Sequence, residues 1–222
     1  PPAGLNATAM ARLIAAYEEV KTDRGVIDFE DVLLLMVGIL REHEEVARAV
    51  RNQYRHFVVD EYQDVNRLQQ TLLDLWLGGR DEICVVGDPA QTIYSFAGAN
   101  ADYLRGFAAK FPGATSIELV RNYRSTPQIV TAANTLLGGS TSRSVELRAQ
   151  RPAGPPVTYS PASDEVAEAQ RIAAGIQRLR DQGRALSEVA VLFRINAQSE
   201  AYEEALSDLG IPYVIRGAAR FF

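Results

Sequence analysis

Apolar and polar positions follow two different rhythms along this chain. Up to about residue 54 the spacing is helical, with Ala9, Leu13, Ile14, Tyr17 and Val20 recurring along one face. Asp28 stands where an N-cap is expected, three residues before Asp31 and just ahead of the apolar run 32–40. A third helix is predicted over about 44–54, carrying Val46 and Val50 inward and Arg48 and Arg51 outward. From Phe57 the rhythm changes. Phe57-Val58-Val59 is a short apolar run that stops abruptly at Asp60-Glu61, as a buried strand does at its carboxyl edge. A helix over about 66–77 follows, closed by Gly78-Gly79, and Ile83-Cys84-Val85-Val86 is a second such strand, ending in Gly87-Asp88-Pro89. A helix over about 101–111 and a strand at 116–119 complete a strand–helix alternation that predicts an α/β fold with a parallel sheet.

The second half repeats the alternation. Thr126-Pro127 opens a helix to about residue 137, and the 138–142 and 152–156 stretches are linker-like in their glycine, serine and proline content. Strands are predicted at 157–159, 189–193 and 213–215, with helices at about 164–182 and from Ser199 to about 209. Two α/β units are thus expected, joined between about residues 120 and 155.

Composition narrows the picture. Of 222 residues, 47% are apolar, which is enough for a real core. The net charge of −5 is not the usual electrostatic footprint of a nucleic-acid binder. The single Cys84 forms no internal disulfide and suits a reducing cytoplasm, and with only His43 and His56 beside it a Cys/His zinc site is excluded. The longest apolar stretch, 32–40, is too short to cross a bilayer. Pro1-Pro2 opens the chain without a signal-like segment or an initiator methionine, and Phe221-Phe222 closes it directly after an apolar strand. Both features lead to the expectation of a piece of something longer.

The chemistry concentrates at the strand ends, where open parallel sheets place their ligands. A carboxylate there can hold Mg²⁺ through its waters, and a neighbour can orient an attacking water. Taken alone, Asp60-Glu61 reads more readily as acids that favour the start of a helix. They do not stand alone. Val58-Val59-Asp60-Glu61-Tyr62-Gln63-Asp64, then the string Val86-Gly87-Asp88-Pro89-Ala90-Gln91-Thr92-Ile93-Tyr94-Ser95-Phe96-Ala97-Gly98-Ala99, then Asn122-Tyr123-Arg124-Ser125 occur in that order. Together they resemble motifs II, III and IV of the UvrD/Rep family of superfamily 1 DNA helicases. The flanks agree: Ile27-Asp28-Phe29-Glu30-Asp31-Val32-Leu33 resembles the helix before motif II, and Val191-Leu192-Phe193-Arg194, Gly210-Ile211-Pro212-Tyr213 and Arg220-Phe221-Phe222 resemble the entry into the second motor domain.

The resemblance implies two partial RecA-like motor domains: a helical segment of the inserted subdomain over 1–54, the second half of the first domain over 55–125, and the start of the second over 126–222. It implies ATP and Mg²⁺ as cofactors, single-stranded DNA and duplex junctions as partners together with the rest of the same polypeptide, and 3′-to-5′ unwinding in repair or replication. In these roles Asp60 would hold Mg²⁺ with Glu61 beside it, and Glu61 would polarise the attacking water. Gln91 would report the γ-phosphate, Arg124 would neutralise developing charge, and Tyr123 would stack near adenine. Tyr94 and Phe96 would offer ring faces to bases; the alternative for either ring is burial in the core. Two departures stand out. Ser95, Phe96 and Ala97 occupy a stretch where many relatives carry arginine or tryptophan, so Ala97 lacks a charge that helps DNA contact. No Gly-x-x-x-x-Gly-Lys-Ser/Thr occurs, and neither Lys21 nor Lys110 lies in a glycine loop, so the phosphate cradle is absent and the chain alone is expected to be inactive. A non-catalytic DNA- or protein-binding remnant, and the motor of a recombination helicase–nuclease, remain as alternatives.

Overall fold

The computed structural model describes residues 6–139 and 145–216. The expectations placed on 140–142, on Pro1-Pro2 and on Arg220-Phe221-Phe222 lie outside the described residues. The chain divides into two compact units, Pro1–Pro155 and Pro156–Phe222.

The first unit opens with three helices, α1 (Ala7–Arg24), α2 (Phe29–Glu42) and α3 (Glu44–Gln53). Asp28 caps α2 as the sequence predicts, in a reciprocal box: its carboxylate accepts the Asp31 N–H at 2.9 Å and the Asp31 carboxylate accepts the Asp28 N–H at 2.9 Å. The same two acids hold α1. Lys21, only 7% exposed, donates to Asp28 at 3.0 Å and to Asp31 at 2.8 Å, and pairs with Glu18 at 3.0 Å. Tyr17 adds a hydroxyl to Asp28 at 2.9 Å. Polar contacts therefore dock α1 at its C-terminal end, while its periodic residues Leu13, Ile14, Tyr17 and Val20 stay exposed.

This network fixes a pH dependence. The Asp31 N–H, the Lys21 ammonium and the Tyr17 hydroxyl hold the Asp28 carboxyl down to about 2. Burial works against the Lys21 ammonium, but its hydrogen bonds to Asp31, Glu18 and Asp28 outweigh it and raise its pKa. Asp28 thus stabilises the fold above the ordinary carboxyl range and ceases to do so as pH falls toward 2, whereas the Lys21 contribution survives any pH below its ordinary alkaline value. Thermal unfolding of the chain between pH 6 and 2 is expected to lose less stability in Asp28→Asn than in the unaltered protein. Identical acid limbs would show that the network adds nothing.

Val37 and Leu40 of α2, Ala47 of α3 and Leu72 of α4 (Arg67–Leu77) form one core cluster. Val50 packs against it as expected, but Val46 is exposed and Ala47 is fully buried in its place. Ala47 and Val50, three residues apart, share the face that α3 turns to this cluster. Arg51, expected outward, lies half-buried across the end of α4, donating to the Leu75 carbonyl at 3.1 Å. Gly78, the left-handed cap of α4 at φ 59°, leaves room for it, since a Cβ there would sit 2.5 Å from Arg51 Nε.

Strand β1 (Phe57–Val59) pairs in parallel with β2 (Ile83–Val85), in register Phe57 with Ile83 and Val59 with Val85, and α4 is the crossover between them. Phe57, Val59, Ile83 and Val85 pack on Tyr62, Leu73 and Leu77. The strands are one-sided, contrary to the fully buried strands expected. Val58 is 78% exposed and Cys84 is exposed beside it. The predicted helix over 101–111 is two single-turn pieces, α5 (Asp102–Arg105) and α6 (Phe107–Lys110), parted at Gly106. A second parallel pair joins β3 (Arg121–Asn122) to β4 (Arg148–Ala149) through α7 (Pro127–Gly138). Asn134 of α7 clips this pair by a two-way bond to Leu147, donating to its carbonyl at 2.8 Å and accepting its N–H at 3.1 Å.

The second unit packs α8 (Glu165–Asp181) against α9 (Ser199–Asp208) around Ala169, Ala173, Ile176, Tyr202, Leu206 and Ile211. The strands expected at 116–119, 157–159, 189–193 and 213–215 are not paired as strands. At 189–193 the alternation itself is present, with Val189, Val191 and Phe193 on the core and Leu192 exposed. A period of two sets which side chains turn inward, but a ladder also needs backbone hydrogen bonds to a neighbour, and none among the described residues makes them here. The architecture is α/β: helices with small parallel sheets. Among the described residues no helix is long and apolar enough to cross a membrane.

Candidate functional site

The carboxyl end of β1 is a tight, polar turn. Asp60 accepts the Glu61 N–H on Oδ1 at 2.9 Å, and Glu61 adopts φ 51° and ψ 38°. It is the only non-glycine residue with positive φ among those described. A left-handed glutamate costs of order 1 kcal/mol or more and persists only where its surroundings over-determine it. Here they do. The next residue, Tyr62, donates its N–H to the Val86 carbonyl at 2.9 Å, Val86 returns an N–H to Val59 at 2.8 Å, and the Tyr62 ring is buried with its hydroxyl on Gln70 at 2.5 Å.

Gln63 then crosses from this turn to the loop after β2. It is 1% exposed; its Nε2 donates to Glu61 Oε2 at 2.7 Å and its Oε1 accepts the Asp88 N–H at 3.0 Å. Asp88 in turn accepts the Ala90 N–H on Oδ1 at 2.9 Å and the Gln91 side-chain amide on Oδ2 at 3.0 Å. A line of hydrogen bonds therefore joins four of the strand-end residues: Glu61, Gln63, Asp88 and Gln91. The sequence reading singled out Glu61 and Gln91 and missed Gln63. The available signal was Gly87. A Cβ there would lie 2.5 Å from Gln63 Oε1, so the glycine marks where a buried side chain presses on the loop.

Asp60 and Glu61 are both exposed, and each keeps one carboxylate oxygen with no protein partner among the described residues. Adjacent hard oxygen donors suit Mg²⁺, which keeps several waters and takes one or two carboxylates together with substrate phosphates. Among the described residues no three His, Cys, Asp or Glu side chains come together as a metal cage. The residues present fit the metal and water end of a nucleotide site. They do not supply its phosphate cradle, which has no counterpart in the 222 residues.

Beyond Gln91, Tyr94 precedes a short turn over Ser95–Ala97 and Phe96 lies within it, their ring centroids 6.0 Å apart and tilted by 54°. Neither is core: Tyr94 is 50% and Phe96 83% exposed. Ala97 lies in the same turn, and Asn100 ties the loop back by donating its N–H to the Val65 carbonyl at 3.1 Å. An open hollow of about 400 Å³ runs alongside, lined by Pro89, Thr92, Ser95, Asn100 and Leu137 among others.

Tyr123 and Arg124 follow β3. The Asn122 side chain accepts the Arg124 N–H at 3.0 Å and the Ser125 N–H at 2.8 Å, and Arg151 donates to the Arg124 carbonyl at 3.0 Å. The backbone is pinned at three points, while the Tyr123 ring is exposed and the Arg124 guanidinium has no partner among the described residues. No hydrogen bond or ring contact joins either side chain to Asp60, Glu61 or Gln91.

Comparison with known proteins places the chain in a family. The chain is built of helicase domains, residues 2–112 matching the UvrD/REP helicase N-terminal domain and residues 117–222 the UvrD-like helicase C-terminal domain. It belongs to the UvrD/Rep helicase family. It is 46% identical to the ATP-dependent DNA helicase UvrD2 of Mycobacterium tuberculosis (strain CDC 1551 / Oshkosh), covering 100% of this chain and 32% of that protein. It is 35% identical to DNA helicase II of Escherichia coli (strain K12), over 95% of this chain and 29% of the relative. The identity is again 35% to the ATP-dependent DNA helicase PcrA of Leuconostoc citreum, over 96% and 29% respectively. The chain spans about a third of the length of these relatives. The two matched regions meet between residues 112 and 117, so Asn122-Tyr123-Arg124-Ser125 falls in the second of them.

Proposed function

We propose that this chain is the central part of an ATP-dependent DNA helicase, with portions of two RecA-like motor domains, that couples ATP hydrolysis to 3′-to-5′ movement on single-stranded DNA and unwinding at duplex junctions. The observation that carries the reading is the hydrogen-bonded junction of the Glu61 turn with the Gln91 loop. It links a carboxylate suited to water activation with an amide suited to γ-phosphate contact. Phosphoryl transfer asks for such placement and charge neutralisation more than for covalent help. Asp60, with Glu61 beside it, would hold Mg²⁺, which when bound neutralises phosphate charge. Glu61 orients and deprotonates the water that attacks the γ-phosphorus, and ADP departs. Gln91 bonds the γ-phosphate, Tyr123 stacks on adenine, and Arg124 neutralises the developing charge. The phosphate cradle comes from elsewhere in the same polypeptide. A single thiol and DNA as substrate suit a cytoplasmic protein.

Full-length protein is expected to hydrolyse ATP only when single-stranded DNA is present, and this chain alone negligibly. Full-length protein with no DNA-stimulated hydrolysis would overturn the reading. It would favour a non-catalytic DNA- or protein-binding module, the reading that the missing cradle supports for the chain by itself. On the DNA side, Phe96→Ala is expected to weaken binding of single-stranded DNA by about 1–3 kcal/mol, and Tyr94→Ala by less, because Phe96 is the more exposed ring. Fluorescence anisotropy with a labelled oligonucleotide measures this, and unchanged affinity would remove Phe96 from the DNA surface.

A further inference from the structure

We propose that Gln63 is a positioning residue that makes the Glu61 carboxylate and the Gln91 loop move as one unit, so that water activation and γ-phosphate contact are set by a single buried amide. The inference rests on the helicase reading above and adds to it a residue that touches neither substrate nor metal. Gln63 is nine-tenths or more buried, so both ends of its amide need partners, and both have one. Chemistry fixes the orientation. A carboxylate only accepts, so Nε2 faces Glu61, and a backbone N–H only donates, so Oε1 faces Asp88. The amide supplies the donor and the acceptor together, without a charge. A glutamate would set a second carboxylate against Glu61, and a methionine would fill the volume with neither bond.

The surroundings leave the amide little freedom. On one side Glu61 is held in the left-handed region, with Oε2 on Gln63 and Oε1 free toward solvent. On the other, Gly87 lies so close that any side chain there would strike Gln63 Oε1 at 2.5 Å and the Tyr62 nitrogen at 3.1 Å. Asp88 then passes the connection on, its N–H bound to Gln63 and its Oδ2 to Gln91. A shift of the Gln91 loop therefore displaces the Glu61 carboxylate through three bonds. In a transition state that depends on alignment, an ångström of displacement costs a large factor in rate.

The test uses full-length protein with single-stranded DNA and compares Gln63→Met, which keeps the volume, with Gln63→Asn, which keeps an amide one methylene shorter. Gln63→Met is expected to lower kcat by about ten- to a hundredfold while KM for ATP changes by less than about threefold. Gln63→Asn is expected to fall between it and the unaltered protein. Combined with Gln91→Ala, Gln63→Met is expected to lower kcat little further than the worse single variant, because the two act through one line of bonds. Melting temperatures are measured in parallel, with kinetics run well below them. A residue with a merely structural role would lower the melting temperature and leave kcat within about twofold; that result, or additive effects with Gln91→Ala, overturns the proposal. If Gln63→Met does not fold, Gln63→Asn decides by the same kcat criterion. Absence of DNA-stimulated hydrolysis in the unaltered protein is a separate outcome: it overturns the helicase reading, and the bridge with it.

Discussion

Glu61→Gln is expected to abolish ATP turnover in the full-length protein while leaving nucleotide binding intact. The substitution keeps the size of the side chain and an oxygen able to accept from Gln63 Nε2, so the turn and its link to Asp88 survive. What it removes is the negative charge on the free oxygen that faces solvent. General base catalysis contributes about 10²–10⁴-fold, and the loss in kcat is expected in that range. Affinity for ATP is expected to stay within about threefold, because a water-activating group adds little to ground-state binding. Single-turnover hydrolysis with single-stranded DNA, beside titration of a fluorescent ATP analogue, separates the two quantities. Turnover within a few-fold of the unaltered protein would remove Glu61 from the chemistry and leave it as a structural turn residue. The same measurement on Asp60→Asn distinguishes its role, since a lost metal ligand raises the Mg²⁺ concentration needed as well as lowering turnover.

How much of this was legible in the sequence depends on whether a feature is local. Asp28 as a cap, Gly78 as a helix stop and the acids at the ends of β1 and β2 were all readable. Each is set by its own few residues and by the direction of the chain. Features that need a distant partner were not. The apolar run at 116–119 has strand composition, yet pairing occurs at Arg121 and Asn122, because β4 offers its backbone there. Leu119 is left exposed. The burial of Lys21 depends on two acids of the next helix, which no helical periodicity in α1 reveals. Gln63 is the sharpest case. A polar residue between Tyr62 and Asp64 reads as surface. Its burial follows from a close approach of the Gly87 backbone 24 residues on. The exposure of Val58 and Cys84 was likewise illegible, because an apolar run declares what a strand can bury and not what lies against it. Net charge, too, averages over the whole surface and does not reveal that Tyr94 and Phe96 place two exposed rings on one loop.

Arg124→Ala is expected to lower turnover by about 10³-fold or more, the range in which arginines that neutralise transferring phosphoryl groups act. The local structure favours that role over a surface arginine. An ordinary exposed arginine loses side-chain entropy and backbone freedom together when it engages a ligand. At Arg124 the backbone is already fixed by the two N–H bonds to Asn122 and by Arg151 on its carbonyl, while the guanidinium is uncommitted among the described residues. Only the side chain remains to be ordered. Arg124→Lys is expected to recover part of the loss, since a point charge restores neutralisation without the planar fork. Asn122→Ala is expected to lower kcat less than Arg124→Ala, by loosening the backbone and leaving the guanidinium in place. Folding stability should be unaffected by Arg124→Ala, because Arg124 is exposed and no hydrogen bond or ion pair ties its guanidinium to a described residue. Thermal unfolding checks that point, and steady-state hydrolysis with single-stranded DNA checks the rest. Turnover retained within about tenfold in Arg124→Ala, with Asn122→Ala more harmful, would mean that the pinned turn matters for the fold of the β3 loop and that the charge does not reach the phosphates.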